Sequence, residues 1–258
     1  MTLTASEAAS LPNLPAHISL AMATADRLQN PELQEHAGSF LMGSTAPDIR
    51  VITRQTREQY HFVGLDFDGI GAGVKGMFAA HPRLRELDAR HGATRAFVAG
   101  YITHLVVDEA YIVGVYRAFF ADNNAVQDPI RSNMLDRALQ LDMDRQVWDG
   151  AEKALVAAEF NPEEVAVGFL DAETLAQWRD WVFNVVDRGF TWDRLRFMSR
   201  RIAAGRDVGT AERFVDEFID GMPASMDQVY SLVPRTTVAD FRSDTLDRLV
   251  AAVGEYLS

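Results

Sequence analysis

The chain has 258 residues, 48% of them hydrophobic, no cysteine and a formal net charge of -12. A chain of this length can bury about three quarters of its unfolded surface as one domain. The absence of cysteine excludes disulfides and thiolate metal ligands. The acidic balance argues against nucleic acid as a partner, because phosphate backbones are bound mainly by lysine and arginine. We therefore expect a small-molecule substrate.

The hydrophobic pattern is helical almost throughout, with segments separated by Gly, Pro, Asn and Asp. Pro15 and Pro31 suit first helical turns, and residues 43–48 are predicted to form a loop that presents Asp48. No run of alternating residues predicts a strand, so the expected fold is all-α. Helices are expected at about 15–29, 31–43, 72–80, 93–120, 128–158, 172–188, 191–204, 209–221 and 237–257.

The sequence predicts a protein without a membrane span. Its apolar stretches are interrupted by His, Asp or Arg before they reach the ~20 residues that span a bilayer. The amino terminus, Met-Thr-Leu-Thr-Ala-Ser-Glu, lacks the basic region and apolar run of a secretory signal. We therefore expect a cytoplasmic location.

The two halves of the predicted single domain, 1–258, differ in their chemistry. All six histidines lie in residues 1–125, and residues 126–258 contain none. We expect the first half to carry a metal site and the second, helical half to shape the pocket.

The most informative pair is His104 and Asp108, inside the long apolar helix predicted at 93–120. Residues four apart on a helix share one face, with Cβ atoms about 5–6 Å apart. An isolated pair with this spacing is more often a simple hydrogen-bonded pair than two ligands. In an apolar helix, however, a buried carboxylate needs a cation or several donors to offset its desolvation. The setting therefore favours a metal ion.

Four short motifs extend this pattern in chain order: Ala16-His-Ile-Ser-Leu, Thr45-Ala-Pro-Asp, Tyr60-His-Phe and Tyr101-Ile-Thr-His-Leu-Val-Val-Asp. Together they resemble the zinc-dependent phospholipase C family, whose fold is shared with fungal single-strand nucleases. The resemblance covers roughly the first half of the chain.

The resemblance implies a ligand set. Asp48, His61, His104 and Asp108 match the ligands of one metal, and Asp108 would bridge to a second metal bound by His17. Two features depart from the family. The chain has no tryptophan near its amino terminus, and no histidine follows His104. The resemblance therefore implies one or two ions, and not the family's three.

The ligand types point to hydrolysis. Imidazoles and carboxylates suit zinc, with iron or manganese as alternatives. A metal held in this way makes hydroxide available near neutral pH. We expect a metal-dependent hydrolase acting on a small phosphoester or another ester or amide. The alternative is a non-hydrolytic metalloprotein, with iron and oxygen chemistry or a purely structural metal.

Four carboxylates are candidates for a catalytic role: Asp48, Asp66, Asp68 and Glu109. Any of the last three is near enough in sequence to a predicted ligand to accept a proton from water or to complete a second metal site. Asp66 and Asp68 lie beside glycines, however, where aspartates commonly form turns or helix caps. Glu109 has the alternative of pairing with an arginine.

Overall fold

The computed structural model describes residues 14–121, 126, 128–202 and 208–258. Within these ranges there is no β-strand, which confirms the all-α class. The α-helices are α1 (Leu14–Leu28), α2 (Pro31–Glu35), α3 (Ala37–Gly43), α4 (Arg50–Thr53), α5 (Arg57–His61), α6 (Ala72–Ala80), α7 (Gly92–Tyr111), α8 (Arg117–Phe119), α9 (Pro129–Ala157), α10 (Ala172–Asp187), α11 (Arg194–Ile202), α12 (Val208–Asp220), α13 (Ser225–Leu232) and α14 (Arg235–Leu257). Short 3-10 helices lie at Ala46–Ile49, Pro82–Arg85, Ala89–His91 and Pro162–Glu164, and a π-helical segment, Ile112–Tyr116, joins α7 to α8.

The predicted long helices occur close to their expected bounds, but the segment 31–43 was predicted wrongly as one helix. It is two helices, because His36 has a non-helical backbone between them. The predicted loop at 43–48 contains the start of a 3-10 helix. The helices α4, α5 and α13 were not predicted. They have four, five and eight residues, too few turns to show a clear helical period.

Helix α7 is the core element on which the first half is built. It packs against α1, α3, α6 and α14, and all but one of its residues are buried. The continuous helical stretch Gly92–Phe119 is long and apolar enough to cross a membrane, but 94% of its most apolar window is buried inside the protein. The hydrophobicity of this helix is therefore equally explained by its place in the protein core, and it is only weak evidence for a membrane span.

Two glycines let α3 and α7 cross in close contact. A Cβ added at Gly100 would lie 1.9 Å from the carbonyl oxygen of Phe40 and 2.8 Å from the backbone nitrogen of Ser44. A Cβ at Gly43 would lie 2.0 Å from the carbonyl oxygen of Phe97. Both contacts are with backbone atoms, which cannot rotate away. The crossing therefore requires glycine at both positions.

Replacing Gly100 with alanine should lower the free energy of unfolding by about 1–3 kcal/mol, the usual range for forcing a methyl group into a packed interior. Gly150→Ala is the matched control, because it also lies within a helix but a Cβ there meets nothing within 4 Å. It should stabilise by roughly 0.5–1 kcal/mol through the reduced entropy of the unfolded chain. Urea unfolding of both variants measures the difference. Equal effects would contradict a tight crossing.

The second half of the chain packs directly on the first. Helix α9 contacts α1, and α14 contacts both α1 and α7. The indole Nε1 of Trp178, on α10, donates a 3.0 Å hydrogen bond to Oγ1 of Thr45. Thr45 precedes the 3-10 helix that carries Asp48. A residue of the second half therefore helps to hold the segment that presents a predicted ligand.

A buried carboxyl links α7 to α9. The hydroxyl of Tyr111 donates to Oδ1 of Asp136 at 2.6 Å, and Nε2 of Gln140 donates to Oδ2 at 2.8 Å. Burial raises the pKa of Asp136 to about 6, against the opposing effect of the Arg137 charge and these two donors. The folded protein therefore binds this proton more tightly than the unfolded chain does. The resulting stability is present below the unfolded pKa and is lost as the pH rises through about 6.

We expect this single carboxyl to reduce the free energy of unfolding by about 3 kcal/mol between acidic pH and pH 7. In the Asp136→Asn variant that decline should be absent. Asp149→Asn, on the exposed side of the same helix, should keep the wild-type pH dependence. Chemical unfolding at half-unit intervals from about pH 4 to pH 7.5 gives the three curves. Parallel curves for Asp136→Asn and the wild type would contradict the raised pKa.

Candidate metal centre

The five predicted ligands come together beside α7, and we call them the His/Asp cluster. His17 lies on α1, Asp48 in the 3-10 helix Ala46–Ile49, and His61 at the end of α5. His104 and Asp108 lie one turn apart on α7. The ligand atoms of His17, His104 and Asp108 are within 4.8 Å of one another, and so are those of Asp48, His61 and His104.

Asp108 is the centre of the cluster. Its Oδ2 lies 3.0 Å from Nε2 of His61 and 3.5 Å from Nε2 of His104. Its Oδ1 lies 3.4 Å from Nε2 of His17. On the far side, Oδ1 of Asp48 is 4.0 Å from Nε2 of His61. The two oxygens of Asp108 thus face different histidines, an arrangement that allows a bridging carboxylate.

The orientation of His104 depends on the close crossing of α3 and α7. Its Nδ1 donates a 2.9 Å hydrogen bond to the carbonyl oxygen of Ser44, the residue just after α3. Since a carbonyl only accepts, the proton is on Nδ1 and Nε2 is turned towards Asp108. Metal-binding histidines are commonly held by such a second hydrogen bond. The His17 ring stacks on the His104 ring, with centroids 3.9 Å apart and planes inclined by 5°.

The side chains fit a metal ion because their buried polar atoms lack hydrogen-bond partners. Unpartnered atoms include both ring nitrogens of His17 and of His61, Nε2 of His104 and Oδ1 of Asp108. An unsatisfied buried polar atom costs about 1–3 kcal/mol. Natural proteins rarely gather several such atoms in one place. A cation accepting their lone pairs would satisfy most of them together, so the buried His/Asp groups can bind a metal.

The electrostatics of the cluster separate its three histidines. Burial lowers the pKa of His17, and the neighbouring His104 lowers it further. Burial and the charge of Arg57 lower the pKa of His61 to about 3. Burial also acts to lower the pKa of His104, but the charge of the nearby Asp108 carboxylate outweighs it, so this pKa is raised.

Asp108 is held ionised by its surroundings. Burial acts to raise its pKa, but the charge of His104 and the close approach of the His104, His17 and His61 rings dominate, so the pKa lies well below its usual range. A carboxylate that stays charged while fully buried needs this number of partners. It is also a ready ligand, because metal binding requires the deprotonated form.

Arg57 is a member of this neighbourhood that the sequence analysis missed. Its NH2 group donates to Oδ2 of Asp108 at 3.2 Å, and its side chain is only 9% exposed. Arg57 and His61 are four residues apart at the two ends of α5, so they share a face. That spacing was the available signal, but α5 itself was not predicted.

Glu109 has a structural task that the sequence analysis did not assign to it. Its carboxylate accepts the backbone N–H groups of Gly71, Ala72 and Gly73, and so caps the amino terminus of α6. Burial raises its pKa, although the three N–H donors act in the opposite direction. These amides, and not the arginine considered as an alternative partner, bind Glu109, and they occupy the oxygens that the predicted catalytic role would need.

Two other candidate carboxylates, and a histidine outside the ligand motifs, lie apart from the cluster. Asp66 and Asp68 are exposed in the segment before α6, and neither belongs to a metal-binding group found in the described residues. His81 packs against the rings of Phe62 and Phe169. Only Asp48, among the four carboxylates proposed for catalysis, reaches the cluster.

The Glu109→Gln variant separates capping from metal chemistry. One amide NH2 group would then face backbone N–H donors, so the free energy of unfolding should fall by about 1–3 kcal/mol. The zinc content of the purified protein should stay at the wild-type value, since Glu109 bonds to α6 and not to the cluster. Thermal unfolding and elemental analysis measure the two effects. Loss of zinc with unchanged stability would mean that Glu109 is a ligand.

Comparisons of the chain with family models, with curated proteins and with solved structures found no match. The chemistry of the site is therefore inferred from its own residues.

Proposed function

We propose that the protein is a metal-dependent hydrolase, similar to zinc-dependent phospholipase C, that acts on a small phosphoester or another ester or amide. One observation carries the proposal: buried imidazole and carboxylate atoms from α1, α5 and α7 converge close to Asp48 of the 3-10 helix, and several of the buried atoms lack hydrogen-bond partners. Structural ion pairs would satisfy these atoms. An arrangement that leaves them unsatisfied is better explained by a bound cation.

The principal site consists of Asp48, His61, His104 and Asp108. Two imidazoles and two carboxylates suit zinc, and they also fit iron or manganese. Bound zinc lowers the pKa of a coordinated water to about 7, which supplies hydroxide at neutral pH.

The residues around this site have separable roles. The Ser44 carbonyl keeps the proton of His104 on Nδ1 and leaves Nε2 free for the metal. Asp48 has a 21% exposed side chain, whereas those of the other ligands are 0% exposed. We therefore propose Asp48 as the side of the cluster from which solvent and substrate enter. Its carboxylate is the group placed to accept a proton from water at that edge.

A second ion has fewer ligands. His17 and Oδ1 of Asp108 face each other at 3.4 Å. His104 also lies close to them, but its Nε2 is assigned to the principal ion and its Nδ1 to the Ser44 carbonyl. The residues considered as substitutes, Asp66, Asp68 and Glu109, are exposed or bonded to α6. We propose one tightly held ion, with any second ion bound more weakly.

The alternative function is a structural metal without hydrolysis. It is favoured by the complete burial of four of the five cluster side chains. Under that alternative the metal would stabilise the fold, and substrates would not be turned over. Iron in the purified protein, together with an activity that requires oxygen, would favour the other non-hydrolytic alternative, which is iron and oxygen chemistry.

The test uses the His104→Ala variant, with His91→Ala as its control. His91 is half-exposed and bonds to Asp88, away from the cluster. Protein purified without chelator should contain about one zinc per chain and hydrolyse a chromogenic phosphodiester, phosphomonoester or carboxylic ester. His104→Ala should lose the zinc and about 100-fold or more in turnover, since even residues that only support a ligand are worth about 10–100-fold.

His91→Ala should keep both properties. Full zinc occupancy in His104→Ala would refute the ligand assignment. Two results together would support the structural alternative: the wild-type protein is inactive on all three substrates, and the His104→Ala variant loses both its zinc and stability.

A further inference from the structure

Arg57 uses one of its donor groups and leaves two unused. Its NH2 group donates to Oδ2 of Asp108. Its Nε and NH1 groups are buried and have no hydrogen-bond partner. A guanidinium is always protonated and carries five N–H donors, so most of its donor capacity is free next to the His/Asp cluster.

The position of Arg57 is more than a means of holding Asp108. That carboxylate already faces three imidazole nitrogens within 3.5 Å, and a single N–H from a smaller side chain would complete its shell. A buried guanidinium with unused donors is costly. Its charge also acts against a metal at the same carboxylate. An anionic ligand would offset both effects.

The charge of the loaded site supports an anionic ligand. The nearby charged groups are the carboxylates of Asp48 and Asp108 and the guanidinium of Arg57, and histidines bind metals as neutral imidazoles. With a divalent ion bound and the histidines neutral, the site is net positive, although the chain carries -12. In a buried site, near charges act more strongly than distant surface charges, which solvent screens. The site therefore attracts anions.

We propose that Arg57 is an anion-binding residue that positions an oxyanion of the substrate, a phosphoryl or a carboxylate group, beside the metal. Arginine suits this role because its planar fork donates to two oxygens of one anion. The proposal rests on the proposed metal-dependent function. Arg57 is not part of the ligand motifs from which that function was inferred. The proposal therefore adds a residue that would determine which substrates bind.

The experiment is calorimetric titration of zinc-loaded protein, dialysed free of excess zinc, with inorganic phosphate and separately with acetate. The variants are Arg57→Gln, which removes the charge, and Arg57→Lys, which keeps the charge but not the fork. Arg54→Gln is the charge-matched control, because Arg54 is exposed and close in sequence. The zinc content of every protein is measured alongside. Anion binding is read without turnover, so an inactive enzyme still gives an answer.

We expect wild type and Arg54→Gln to bind the anion equally, Arg57→Gln to bind it about tenfold or more weakly, and Arg57→Lys to fall between them, all with one zinc. Stronger binding of phosphate than acetate would identify a phosphoryl group, and the reverse order a carboxylate. Unchanged anion affinity in Arg57→Gln would overturn the proposal. Loss of zinc from both Arg57 variants would also overturn it, since Arg57 would then only position Asp108. Failure to bind any zinc in the wild type would refute the proposed function instead.

Discussion

The fully buried carboxylate of Asp108 is the constraint on which the first half of the molecule depends. It lies inside a long apolar helix that is almost wholly buried, where an ionised group without partners would be severely destabilising. Its partners cannot all come from α7, because one turn of helix supplies only His104. His17 must come from α1, and His61 and Arg57 from α5. The need to solvate one charge therefore fixes where two further helices dock.

The same turn of α7 also anchors the segment between α5 and α6. Asp108 and the adjacent Glu109 point in different directions, since neighbours on a helix are about 100° apart. Asp108 contacts α5, and Glu109 binds the first amides of α6. The segment is thus held at both ends by two consecutive carboxylates. Gly73 lets α6 approach closely, because a Cβ there would lie 2.7 Å from the carbonyl of His61 and 2.9 Å from the Glu109 carboxylate.

The long helices and the His104/Asp108 pair could be predicted from the sequence for physical reasons, whereas His17, Asp48 and His61 were expected only from the resemblance to zinc-dependent phospholipase C. A helix of many turns shows its period clearly, and α6, α7 and α9 fall close to their expected bounds. His104 and Asp108 were recognisable because four residues make about one turn. The short helices α4 and α5 could not be predicted, since their conformation is stabilised by tertiary contacts more than by local pattern. One such contact is the bond from the Tyr101 hydroxyl to the Tyr60 carbonyl.

The sequence shows where each charged residue lies in the chain, but not which groups its side chain contacts in the fold. Glu109 is next to Asp108 in the chain, yet only the three-dimensional position of α6 shows that its oxygens are taken by backbone amides. Arg57 was missed for the matching reason: its charge acts on Asp108 through 3.2 Å of space but across 51 residues of sequence. Net charge is a weak basis for predicting the ligand of a buried site, because it averages over exposed groups that solvent screens. The affinity of a buried site for its ligand depends on the balance of the few charges inside that site. Here the balance depends on Arg57, which faces the Asp108 carboxylate and, in our proposal, also faces an anionic ligand when a metal is bound.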